Sequence, residues 1–93
     1  MSDSTLQNRI EEIRLAMLDA LGDHGAGQFP LLLRRLRYAE DAQALWYLRG
    51  DLMASLSVMS GEADARRAMR SITDMFRGLL PGGLASRPSP LVD

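Results

Sequence analysis

The chain contains no cysteine and no lysine, and only one histidine among its 93 residues. Without cysteine there can be no disulfide, no thiolate metal ligand and no thiol nucleophile. His24 stands alone in Asp23-His24-Gly25. No serine-histidine-acid set can be assembled from spacing, and a catalytic zinc, which favours several histidines, finds too few ligands. The adjacent carboxylates Glu11 and Glu12 point about 100° apart on a helix and do not converge for acid-base work. No enzymatic activity, cofactor or metal is therefore expected. Long apolar runs are missing too. Leu31 to Leu33 and Leu45 to Leu48 are the longest stretches of large apolar residues, far short of the ~18 that a membrane span requires. Met1 to Ile10 are polar and lack the basic-then-apolar order of a secretory leader. A cytoplasmic, bacterial-type protein with no transmembrane segment is the expectation.

Net charge is also nearly absent, at -1, so no overall field draws the chain to nucleic acid or anionic lipid. All eleven basic residues are arginine, which a GC-rich codon bias explains as readily as a need for guanidinium geometry.

What is present is a folding composition, 46% hydrophobic and 25% charged, in a length that yields only a few kcal/mol of net core stabilisation. Leu6, Ile10, Ile13, Met17 and Leu21 recur at steps of three and four, which gathers them on one helical face. Gly22 follows as a stop, and 22–28 reads as a loop. Its glycines at 22, 25 and 27 resemble a phosphate-cradling loop only in composition, because that motif follows a strand and opens a helix. Pro30 opens a second helix that ends near Ala39. Asp41 caps a third running to Ser60, and Gly61 separates it from a fourth that ends at Leu80.

Residue phase decides between one long helix over 41–80 and two short ones. With Leu45 at zero, Leu48, Leu52, Leu56 and Met59 lie within roughly 60°, while Ala65, Met69, Ile72, Phe76 and Leu79 gather near 200°. A straight helix cannot bury both stripes in one core, so the chain reverses at Ser60-Gly61 unless the hinge opens in an exchanged dimer. The expected fold is all-α, a compact bundle of about four helices over approximately 4–21, 30–39, 41–60 and 62–80. Residues 1–80 form its single domain, and the breaker-rich 81–93 a mobile tail.

Function is read from surfaces. Leu45, Trp46, Leu48, Leu52, Met53 and Leu56 spread over roughly 160° of the third helix, more than one neighbour covers, and Arg49 stands within that arc. Its guanidinium must meet an acid of another helix, reach water, or await a partner's anion. Gly50 costs roughly 1 kcal/mol inside a helix, so it and Ala54 mark a close approach of another helix. The Arg49-Gly50-Asp51 tripeptide lies inside that helix and has no adhesive role. Trp46, Arg49, Gly50, Met53 and Ala54 are the candidate interface.

Arg34, Arg35, Arg66, Arg70 and Arg77 form the candidate anion patch. Glu62, Asp74 and Asp41 stand four residues from Arg66, Arg70 and Arg37, in position to blunt it by local pairing. A helix-turn-helix fits poorly, since the third helix is too apolar and Glu40-Asp41 would face phosphates. Membrane-surface association through the second helix is weakened by its shortness. The expected function is a non-catalytic protein-protein interaction module, an adaptor, regulator or chaperone-like subunit, binding a protein partner or itself as a homodimer. A small nucleic-acid-associated regulator using the arginine-lined helices is the alternative.

Overall fold

The first helix breaks at Gly22, the glycine expected to end it, and a second helical segment follows where a loop was expected. In the structure, a computed structural model that describes residues 2–80 and side chains from residue 5 onward, α1 spans Ser2–Gln28. Gly22, at φ 70° and ψ 177°, is not helical, and two helical segments meet there at a kink. The segment expected as a loop is a second, short helical segment, and Gly25 within it sits in a tight contact. A Cβ at Gly25 would stand 2.7 Å from the Leu21 side chain and 3.0 Å from Cε of Met59. The glycine lets this end of α1 pack tightly against the side chain of Met59.

α2 spans Pro30–Tyr38, with Pro30 in the first turn, where its missing N–H costs nothing. α3 spans Ala42–Tyr47 and is capped as its sequence dictates, the Asp41 carboxylate accepting from the Ala44 amide at 2.8 Å. Asp41 is thus used as a cap instead of pairing with Arg37. The third expected helix is two. Leu48 donates to the Leu45 carbonyl at 3.1 Å, a tight turn that ends α3, and α4 spans Arg49–Ser60. α5 spans Glu62–Met75, and its C-terminus tightens through Phe76, whose amide reaches the Thr73 carbonyl at 3.1 Å. The helix therefore stops short of Leu80. Gly61, at φ 90°, makes the reversal between α4 and α5, a conformation that L side chains avoid.

The apolar stripes meet as their phases require. Ile10, Ile13, Met17 and Leu21 of α1 are buried with Leu36 of α2, Leu45 of α3, Leu52 and Leu56 of α4, and Met69, Ile72 and Phe76 at the far end. The α4–α5 hairpin packs on α1, and α2 packs on α1 as well. The described residues contain no strand, and no helix among them is long and apolar enough to cross a membrane. The expected tail, 81–93, lies outside the described residues.

Two arginines of α1 tie the other helices to it. Arg14 donates to the carbonyls of Leu36, Arg37 and Ala39 at 2.6, 2.9 and 2.6 Å, and grips Glu11 at 2.9 and 3.1 Å. Those carbonyls end α2, where no intrahelical donor remains and the helix dipole favours a cation. Arg9 does the same for the end of α5, reaching Arg77 O at 3.1 Å and Met75 O at 3.4 Å.

Candidate functional site

Arg49 begins α4 and is only 6% exposed. Its guanidinium carbon lies 3.2 Å from the centroid of the Trp46 ring. Nε donates to the Trp46 carbonyl at 3.1 Å, and Nη1 stands 3.5 Å from Oγ1 of Thr73 on α5. Among the described residues no carboxylate pairs with it. Of the three fates open to this arginine, pairing with an acid of another helix is not the one the fold adopts. The ring, a carbonyl and a hydroxyl take the place of an acid, and burial holds the guanidinium pKa below its ordinary value.

Trp46 is half-buried and meets Phe76 edge to face, with ring centroids 5.1 Å apart and planes at 74°. Both rings line an open cleft of about 540 Å³ between α3 and the C-terminal turn of α5, as does Leu80. Arg70, Arg77 and Asp74 supply its charge, and Asp74 is held by Arg77 at 2.6 Å. The expected Arg70–Asp74 pair is not made, because Asp74 turns to the arginine three residues on. Arg70 is exposed and has no ion pair among the described residues.

The remaining interface candidates lie further along α4. Gly50 and Ala54 are exposed, and a Cβ on Gly50 would meet nothing within 4 Å. The close approach expected there is absent within the chain; Gly25 is where one occurs. Met53 is half-buried against the core. Beside Ala54, between α2 and α4, a second cleft of about 470 Å³ is lined by Phe29, Leu31, Leu32 and Ser55. Arg35 and Asp51 stand 3.6 Å apart at its edge. Leu31 is 60% exposed, and Val58, one turn beyond Ala54, 69%.

The anion-patch arginines do not form one patch, and only Arg70 and Arg77 share a cleft. Arg34 and Arg35 lie exposed on α2, while Arg66 and Arg70 lie on α5 and Arg77 just beyond it. Arg66 meets Glu62 at 3.4 Å, as the spacing of four predicts. His24 is exposed on the kinked end of α1. Among the described residues no three histidine, aspartate or glutamate side chains gather where a metal ion could sit.

Sequence reasoning passed over Arg9 and Arg14, whose signal would have been their place on the flanks of the α1 apolar stripe. Phe76 was placed in the core stripe, but its ring contact with Trp46 was not foreseen. The fold and these surfaces define an all-α helical bundle with two open clefts. No protein-family model, curated protein or solved structure matches the chain.

Proposed function

We propose that this chain is a non-catalytic protein-binding module that pairs with a second copy of itself through the open face of α4. Its role is that of a small cytoplasmic adaptor, regulator or chaperone-like subunit. The observation that carries the reading is the empty space over Gly50. Gly50 lies in the first turn of α4, and no atom of this chain stands within 4 Å of where its Cβ would be. Ala54 follows one turn on, Val58 another, and Leu31 flanks them across the cleft. A smooth strip bordered by exposed large apolar groups suits the close approach of a second helix.

A two-fold axis uses the same patch twice, so one open face per chain is enough. Trp46 and Met53, half-buried, contribute at most from the margin of such a contact. Sedimentation equilibrium at micromolar concentration tests the reading. The expected species is a dimer, and Ala54→Glu should return it to monomer with its circular dichroism unchanged, because Ala54 is exposed in the single chain. A 10.3 kDa species at all concentrations overturns the pairing.

A further inference from the structure

We propose that the cleft between α3 and the C-terminal turn of α5 is a second binding site, one that takes an acidic, apolar segment of a partner protein. The inference rests on the reading of the chain as a protein-binding module and adds the chemistry of the partner. Charge complementarity carries it. Arg70 and Arg77 line the cleft against a single carboxylate, Asp74, which Arg77 already holds. Behind the wall stands Arg49, whose guanidinium rests on two lining residues, Trp46 and Thr73.

A buried cation normally has an anion. Here the described residues supply none, and the Thr73 contact at 3.5 Å is at the limit of a hydrogen bond. Thr73 has a further capacity. Its hydroxyl accepts from Arg49 and keeps its own hydrogen to donate, so a carboxylate in the cleft can take one hydrogen bond from Thr73 and an ion pair from Arg70. Arg49 is then a positioning residue, which polarises Thr73 and fixes the plane of the indole.

The walls select what carries that carboxylate. Trp46, Phe76 and Leu80 offer apolar surface, which rewards a leucine-like side chain beside the acid, as a free phosphate or a nucleic-acid backbone would not. The volume falls within the range of roughly 300–1,000 Å³ typical of ligand clefts. It suits a few side chains of a segment better than a whole domain. A polyanion is also poorly served, since the chain is net negative.

Trp46 is the only tryptophan, so its emission reports directly on this wall. The full-length protein is titrated with a short blocked helical peptide of leucine and glutamate, and separately with its leucine-glutamine counterpart. Binding is followed by indole fluorescence and by calorimetry. The expected result is a saturable change with the acidic peptide, weakened as salt rises from ~50 to ~200 mM. The glutamine peptide should bind about tenfold more weakly or worse, and Arg70→Glu should lose a similar factor, the scale of a hydrogen bond to a charged group. Thr73→Val should lose less.

Equal binding of the two peptides, or no binding by either method, overturns the proposal. An oligonucleotide that moves the signal as strongly, with the same dependence on Arg70, transfers the cleft to nucleic acid and also overturns it. If Arg70→Glu instead dissolves self-association of the unliganded protein, the occupant is a second copy and the proposal fails. Ala54 does not line this cleft. Its substitution therefore tests the dimer separately, and either reading can fall while the other stands.

Discussion

Arg14 and Arg49 are both removed from water, one on α1 and the other at the start of α4, yet the fold uses them in opposite ways. Arg14 places five donor contacts on three terminal carbonyls of α2 and on Glu11. Its hydrogen-bonding capacity is consumed by the fold. Arg49 has an aromatic face, one carbonyl and a distant hydroxyl, and its charge is compensated by no acid among the described residues. A buried cation saturated by helix ends is a structural tie. One that rests on the wall of an open cleft retains an electrostatic demand that a ligand can meet.

The sharpest test of that contrast is Arg14→Met, which keeps much of the apolar stem and removes the fork. It leaves three carbonyls at the end of α2 without their donor and frees Glu11. The expected cost is about 3 kcal/mol, seen as a fall in Tm of roughly 15 °C. A loss below about 1 kcal/mol would show that water serves those carbonyls equally well. Arg9→Ala should cost less, about 1 kcal/mol, because one of its two contacts is long and the other exposed. Chemical denaturation measures both.

The smallest effect is expected at the other arginine. Arg49→Met removes a cation-π contact worth roughly 0.5–2 kcal/mol together with a desolvation cost of opposite sign, so unfolding free energy should change by less than about 1 kcal/mol. The pH dependence has a definite sign. A base whose folded pKa is lowered binds its proton more weakly when folded than when unfolded. Its unfavourable contribution persists at every pH below the folded value and is relieved as pH rises through it, in the alkaline range. The variant should lose that alkaline gain. A loss on the scale of Arg14→Met would make the two arginines equivalent and remove the contrast.

Much of the bundle was legible because helical periodicity is a local property. The α1 stripe, Pro30 at the start of α2, the Asp41 cap and the reversal at Gly61 each follow from residues within a few turns of one another. The candidate site was legible only in part. The residue types of Arg49, Trp46, Gly50 and Ala54 stood out, but their partners did not, since Thr73 and Phe76 come from another helix. The spacing of four between Arg70 and Asp74 was a fair local signal, and it failed because Arg77 offered the same carboxylate an equally local choice.

By itself, then, the sequence determined where helices form and which way each stripe faces, since 3.6-residue periodicity, caps and positive-φ glycines act over neighbouring residues. Tertiary structure decided the rest. The fold set Gly25 close against the Met59 side chain of α4, a contact between residues 34 apart in the chain. Contacts across 22 to 68 residues of chain made Arg9 and Arg14 ties between helices and put Arg49 behind a cleft. The physical reason is that a carbonyl at a helix end, or a ring on a cleft wall, can be satisfied by any donor the fold brings near. Which donor arrives is fixed by the packing of apolar faces, and not by the residues beside it in the chain.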